Sequence, residues 1–518
     1  MTMKKMYLLG LMTLGAMQAQ AQDNVNLDTY IGAQLATEDL NGTARYVGMG
    51  GAMEALGADI STMSTNPAGI GLFRRHQVSG SMGLVIQEGG KSFQDGSKAS
   101  ASFDQLGVVF SQRTGMHSYL NFGFNFHKNR NFNYVLSAAN QAVNGSSQNR
   151  QTTIKGVRGD LDTYWGQSQT DFLYYNMIEE KDGSLTTVDA TDYEFDRAHT
   201  GYIGEYDFNI SGNIKNRVYL GLTLGLKDVH YNGYSEYFEH LNSLTDPSLT
   251  SVLMTDDHHI TGTGVEVKGG IIVRPVEESP FRLGVSVSTP TFYRLTTSNT
   301  TRIGDVAQIG YDAKFSFNTP WKFGISAGHT VDNNLALGIS YEIADYSTID
   351  MRAIKDYNYD YWTDTYSTSS SSDPVMKRLT EKTLRTVSTL KVGAEFKPEQ
   401  NVAIRLGYNY VSPMYEESGV RDQTLDSPGT YMSSSTDYTN WKDTHRITAG
   451  VGFTFDKVRL DLAYQYSMRK GDFYPYMNGV EARYFSSYGL QEVLRNECNA
   501  VSVKDNRHQL LCTLSYSF

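Results

Sequence analysis

Three short stretches of this 518-residue chain hold residue types that do chemistry in other settings. "GISAG" (324–328) has the spacing of a nucleophile elbow, with His329 next to it as a base. An elbow needs a sharp strand-to-helix turn to expose its serine. Here Gly324, Ser326 and Gly328 fall on one side of an alternating strand instead. "DDHH" (256–259) offers carboxylate and imidazole ligands. Adjacent His residues rarely ligate one ion together, so the stretch reads as a solvated outer loop. "GMGGAM" (48–53) starts like a dinucleotide fingerprint, but its sixth position is Met53 and no βαβ pattern follows. We therefore expect no catalytic residue, no metal site, no cofactor and no enzyme.

The elements that would have to position such residues have a period of two. In "VRLDLAYQY" Val458, Leu460, Leu462, Tyr464 and Tyr466 share one face, and Arg459, Asp461, Ala463 and Gln465 the other. "VYLGLTLGLK" sets Val218, Leu220, Leu222, Leu224 and Leu226 against Tyr219, Gly221, Thr223, Gly225 and Lys227. "VAIRLGYNY" (402–410) and "ITAGVGFTF" (447–455) repeat the pattern. Alternation marks strands with one apolar and one polar face. The runs reach about ten residues, longer than most strands of soluble sheets. Tyr and Phe collect at strand ends, and the chain closes on "LLCTLSYSF" with Phe518 on the apolar face. Short turns alternate with long polar connections, as in a membrane barrel.

A first count gives fifteen strands: 76–88, 101–112, 117–128, 200–212, 217–229, 259–274, 281–294, 309–318, 321–330, 335–349, 383–396, 401–412, 443–455, 457–468 and 508–518. Bacterial single-chain barrels are even-numbered. Merging the two strands across "FNTPW" (317–321) into one, bent at Pro320, gives fourteen and restores the loop alternation. Pro290 is a second candidate for a strand kink.

At the N-terminus Lys4 and Lys5 precede the apolar run "MYLLGLMTLGAM" (6–17) and the small residues "AQA" (19–21). This is the form of a signal peptide, with cleavage expected after Ala21 and export of the remainder. Two Cys in such a length argue against a disulfide framework, and Cys512 falls on the apolar face of a strand while Cys498 falls in a loop. A net charge of −11 argues against a nucleic-acid partner.

"ARYVGMGGAMEALGADISTMSTNPAGIG" (44–71) resembles the N-terminal region of the FadL/TodX family of outer-membrane transporters of long-chain fatty acids and other hydrophobic compounds. "FRLGVSVSTPTFYRL" (281–295) and "TPWKFGISAGH" (319–329) are similar to further strands of that family. The resemblance implies an all-β fold, a transmembrane antiparallel β-barrel of about 14 strands whose lumen is plugged by an N-terminal hatch. It also implies that Asn66, Pro67 and Ala68 form the family's Asn-Pro-Ala motif, with Gly69 completing the gating turn. The physics agrees: a barrel of that size is too wide for side chains alone to fill.

The expected organisation is 1–21 signal peptide, 22–75 hatch and 76–518 barrel. The expected function is passive, hatch-gated uptake of hydrophobic small molecules across the outer membrane of a Gram-negative cell. Its partners would be a hydrophobic ligand (fatty acid, aromatic hydrocarbon or haem), outer-membrane lipid and lipopolysaccharide, and the barrel-assembly machinery. A secretion-associated scaffold or shuttle, and an outer-membrane lipase using Ser326, are the alternatives.

Overall fold

The structure, a computed structural model, describes residues 28–141, 143–147, 177–179, 185–242, 251–304, 307–332, 334–362, 365–421, 437–476, 482–483, 493–494 and 497–518. The expected signal peptide and its cleavage site lie outside the described residues.

Fourteen antiparallel strands close into a barrel. They are β1 Gln77–Gln87, β2 Ala99–Gly115, β3 Ser118–Asn131, β4 Ala190–Ile214, β5 Val218–Leu241 and β6 Ser251–Val273. Four interrupted strands follow: β7 Arg282–Ser288 and Phe292–Ile303, β8 Ala307–Asn318 and Lys322–Val331, β9 Leu335–Asp345 and Asp350–Asp360, and β10 Thr365–Ser372 and Thr386–Glu399. The set ends with β11 Val402–Val411, β12 Tyr438–Phe455, β13 Val458–Tyr474 and β14 Arg507–Ser517. Closure is made by β14, which pairs with β13 on one side and with β1 on the other, from Gln77↔Ser517 to Gln87↔Arg507. Closing the sheet removes the free edges that an open one would expose. Among the described residues no helix is long and apolar enough to cross a membrane.

The two faces of each strand are reversed relative to a soluble protein. Leu220, Leu222, Leu224 and Leu226 of β5 point outward and are exposed, while Tyr219, Thr223 and Lys227 point inward and are buried. On β13, Leu462 and Tyr464 are outside, and Asp461, Ala463 and Gln465 inside. An apolar exterior around a polar interior is the arrangement of strands in hydrocarbon.

Short turns join the strands at one end. Lys215 and Asn216 both take left-handed backbone angles (φ 52 and 55), and Arg217 N donates to Ile214 O at 3.0 Å. Two successive left-handed residues match the right-handed twist of a tight hairpin.

At the other end the strands run further than alternation alone predicts. β4 begins at Ala190 rather than 200, β5 continues to Leu241 rather than 229, and β6 begins at Ser251 rather than 259. The reason is an inversion of polarity. Beyond Asp228 the outward residues of β5 become polar (His230, Asn232, Glu236), and inward Val229, Tyr231 and Tyr237 are buried. Above the lipid belt the barrel has an ordinary apolar inside: Tyr134, Tyr193, Phe195, Tyr237, Met254 and Phe473 pack there as one cluster.

The interruptions of β7 to β10 lie side by side across the wall. Pro290 and Pro320 sit in the first two, flanked by Thr289 and Thr291 and by Thr319 and Trp321. Proline has no N–H to give to a ladder. The gap is bridged locally: Thr291 N donates to Thr319 Oγ1 at 2.8 Å, and Thr319 N to Thr291 O at 3.2 Å. The third break is a single turn at Tyr346–Thr348, and the fourth holds a helix, Pro374–Thr383, capped by Asp373. Cys498 and Cys512 are both free, Cys498 buried and Cys512 exposed on the outer face of β14.

Candidate functional site

Residues 28–73 lie inside the barrel against inward-facing side chains. The helix α1, Thr29–Ala36, is capped by Asp28, whose Oδ1 accepts from Tyr30 N at 2.8 Å. Asp28 also pairs with Arg421. Tyr30 stacks on Tyr415 with ring centroids 5.1 Å apart, and its hydroxyl donates to Asn440 Oδ1 at 2.7 Å. The short helix α2, Ala44–Gly48, starts at Thr43, which accepts from Tyr46 N at 3.1 Å and donates to Asp59 at 2.8 Å. The last piece is a 3-10 turn over Pro67–Leu72.

Ion pairs tie this segment to the wall at several heights. Glu38 binds Lys227 at 2.8 Å and Lys322 at 2.5 Å, Asp39 binds Arg130 at 2.8 Å, and Glu54 binds Lys391 at 2.7 Å. Arg45 meets Glu395 at 3.0 Å. Burial would raise the pKa of Glu38, but Lys227 and Lys322 outweigh it and hold this carboxyl well below its ordinary range. Asp39 is likewise raised by burial and lowered more by the Arg130, Arg507 and Arg446 guanidiniums, with a net shift downward.

Between the ion pairs, backbone meets backbone through glycines of the wall. A side-chain carbon on Gly338 would strike Ala52 O, one on Gly393 would strike Met49 O, and one on Gly221 would strike the Pro67 carbonyl. Two of these wall glycines pair directly in register, Gly338↔Gly393, and Gly393 pairs in turn with Gly407, where a side-chain carbon would strike Gly50 N. Only glycine lets two main chains approach this closely.

No protein-family model matches the chain, and no curated protein matches it in sequence. Solved structures do match. A Pseudomonas aeruginosa FadL homologue aligns over 93% of this chain and 100% of its own, with a TM-score of 0.51 and 12% identity. The chain has the FadL-type barrel fold. The Ralstonia pickettii toluene transporter TbuX aligns over 92% of this chain and 99% of its own, with a TM-score of 0.47 and 11% identity. The Pseudomonas putida toluene transporter TodX aligns over 93% and 99%, with a TM-score of 0.45 and 13% identity.

Within this FadL-type fold the Asn66–Gly69 turn sits at the wall formed by β4 to β7. Asn66 is fully buried and caps the 3-10 turn, its Oδ1 accepting from Ala68 N at 3.2 Å. Pro67 is the first residue of the turn, where its fixed φ suits the geometry and no donor is needed. Its carbonyl accepts from Ser211 Oγ at 2.8 Å, and Asn121 Nδ2 donates to Ile70 O at 2.6 Å. Ala68 is fully buried, and Gly69 lies against Thr62 Oγ1.

The sequence decoys resolve by alternation. Ser326 faces inward and His329 outward, where it approaches the Phe281 ring at 6.3 Å, so no Ser–His pair forms. "DDHH" is not an outer loop: it lies within β6. Asp256 points inward and accepts from Asn299 at 3.0 Å, while Asp257 and His259 pair outside at 3.0 Å. The strand inverts its polarity there, which hid it from an alternation search. Among the described residues His127, Glu205 and Asp207 do converge as a ligand-like group. The cation among them is an ammonium, since Lys268 pairs with both Glu205 and Asp207.

Sequence reasoning missed the space above the N-terminal segment. One cavity of about 140 Å³ is bordered by α1 and by Phe132, Tyr231, Tyr415 and Tyr438. A second of about 160 Å³ lies deeper, beside Glu38 and Asp39. Thr37, Arg130, Met414, Trp441, Arg469 and Arg507 line both. The available signal was a basic residue at an inward strand position, as with Arg446 on β12 and Arg130 on β3.

Proposed function

We propose that this protein is an outer-membrane channel for the uptake of hydrophobic small molecules, and that residues 28–73 are its gate. The FadL-type barrel, the apolar exterior of its strands and the aromatic cavity above α1 support this reading. Among the similar solved structures are toluene transporters and monoaromatic hydrocarbon channels. Transport, rather than catalysis, fits a lumen in which Ser326 has no base beside it on its own strand face.

The observation that carries the reading is the aromatic surround of the upper cavity. Tyr30, Tyr415 and Tyr438 form one aromatic group, with Tyr30 stacked on Tyr415 and tilted against Tyr438, 5.1 Å from each ring. An apolar ligand placed there leaves water at roughly 25 cal/mol per Å² of surface buried. The Asn66–Gly69 turn closes the route below it, held by the hydrogen bonds to Pro67 O and Ile70 O. Passage needs no energy input, only a displacement of a segment that is docked rather than covalently built into the wall.

The test is ligand binding by the purified, detergent-solubilised protein. Titration with an environment-sensitive hydrophobic dye should show saturable binding, displaced by a long-chain carboxylate or by toluene. Tyr415→Ala should weaken displacement without altering the migration shift between unboiled and boiled protein. Absence of saturable binding would overturn the reading.

A further inference from the structure

The charge on the short-turn end of the barrel is lopsided. Four neighbouring connections, the entry to β1 and the turns β2–β3, β4–β5 and β6–β7, carry Arg74, Arg75, Arg113, Lys215, Arg217, Arg274 and Arg282 against Glu277 and Glu278 alone. The turns β8–β9, β10–β11 and β12–β13 are mixed, with Asp332, Glu399 and Asp456 against Lys397 and Lys457. Of the seven basic residues only Arg217 has an ion-pair partner among the described residues, Glu277 at 3.6 Å, and both of those side chains are exposed. The chain as a whole carries −11, so the excess is local. Like charges gathered within about 10 Å, one Debye length, repel one another unless an anion answers them. Arg282 feels the charges of both Arg274 and Arg74.

Backbone carbonyls hold the arginines in place. Arg113 donates from Nε to Gly115 O at 3.0 Å and from Nη2 to Met116 O at 2.9 Å. Arg274 donates from Nε to Ser279 O and from Nη2 to Glu277 O, both at 2.6 Å. The turns are also tied to one another, by Lys215 N to Ser118 Oγ at 3.2 Å, Arg217 Nη2 to Pro275 O at 3.1 Å and Arg274 N to Arg217 O at 2.8 Å. Side chains fixed before binding lose little entropy on binding. Arg113 and Arg282 continue the inward rows of β2 and β7, over the mouth of the barrel rather than toward hydrocarbon. The chain leaves the lumen at Arg74, whose guanidinium lies over the Tyr119 ring at 4.7 Å. Met116 and Val276 stand on the same turns, 77% and 55% exposed. Arginine and methionine are enriched where proteins meet proteins. We infer that this basic ledge is the docking surface of an acidic periplasmic protein. The short turns of such barrels face the periplasm. On the proposed uptake function, the partner sits where cargo leaves the lumen.

The experiment uses the purified, assembled barrel and three probes: a fluorescent glutamate-rich peptide, its glutamine counterpart, and inorganic phosphate. The test variant joins Arg75→Glu to Lys215→Glu, both at exposed positions on the ledge, and the control is Lys457→Glu on the opposite side. Each is checked for heat-dependent migration and for binding of a hydrophobic dye. Wild-type protein should bind the glutamate peptide roughly tenfold more tightly than the glutamine one, and added salt should erase the difference. The double variant should lose this preference and Lys457→Glu should keep it. Equal binding of the two peptides by the wild type overturns the docking surface. So does a preference that survives in the double variant, or one lost equally in Lys457→Glu. Phosphatidylglycerol that the wild type retains through purification and the double variant sheds gives the ledge to lipid and overturns the protein partner. Phosphate that competes as strongly as the glutamate peptide shows a small-anion site and overturns it too. Dye binding that fails in the wild type while the peptide preference holds removes the uptake reading and leaves the docking surface standing.

Discussion

Arg45 holds Glu395 through two parallel hydrogen bonds, Nε to Oε2 at 3.0 Å and Nη2 to Oε1 at 3.1 Å. Arg405, fully buried on the wall, donates Nε to the same Oε2 at 2.6 Å. One carboxylate therefore serves a guanidinium of the lumenal segment and one of the barrel. Glu395→Gln should leave Arg45 without its charge partner and Arg405 with Asp461 alone, at a cost of about 3–5 kcal/mol. Hydrogen exchange should rise across residues 44–58 while the barrel keeps its heat-dependent migration, because the strand ladder does not pass through this pair.

The glycines of the wall predict a steric contrast. A side chain at Gly221 meets the backbone of Pro67, whereas one at Gly212 meets nothing within 4 Å. Gly221→Val should dislodge the Asn66–Gly69 turn and raise the entry of a small hydrophilic antibiotic into cells. Gly212→Val should behave as wild type in the same assay.

The two faces of β13 and β14 predict different costs for the same substitution. Leu462→Arg places a charge on the apolar exterior and should cost roughly 2–4 kcal/mol near the bilayer midplane. Gln509→Arg faces a polar lumenal cavity, bordered by Asp39 and Asp104 as well as by Lys128, Arg446 and Arg507, and should cost less than the lipid-facing change. Asp461 is a poor lumenal control, since it pairs with Arg405 and Arg459 at 2.9 Å each. Unfolding of the refolded barrel in lipid vesicles measures both costs.

Acid should undock the segment only below the ordinary carboxylate range. Asp39 and Glu38 have their pKa values pushed below the ordinary range, so their contribution to docking is complete above that range. It is lost only as pH falls through the lowered values. Hydrogen exchange at residues 37–41, compared at matched intrinsic rates, should be flat from neutral pH down to the ordinary carboxylate range and should rise below it. Asp39→Asn should show raised exchange even at neutral pH.

Much of the fold was legible because a single rule governs the lipid belt. Leu220 to Leu226 and Leu460 to Tyr466 alternate because one face meets hydrocarbon and the other a polar lumen. The count of fourteen followed from treating Pro320 as a bend within a strand, and β8 is interrupted at that point. Alternation failed where its physical cause ended. Beyond Asp228 the inside turns apolar and the outside polar, so Tyr231 and Tyr237 no longer read as the lipid face of a strand. The arginine cavity was illegible for another reason: Arg130, Arg446 and Arg507 come from β3, β12 and β14, and only closure of the barrel brings them together.

Uptake in living cells tests the central claim most directly. Cells whose only long-chain uptake route is this protein are supplied with labelled long-chain carboxylate and labelled toluene, and accumulation is timed. The parallel strain carries Gly221→Val, matched for the amount of assembled barrel. Wild-type protein should accelerate accumulation of at least one hydrophobic probe over cells lacking it while excluding the hydrophilic antibiotic, and Gly221→Val should lose that exclusion. Accumulation no faster than in cells lacking the protein, with the barrel assembled in the outer membrane, would contradict a channel for hydrophobic molecules.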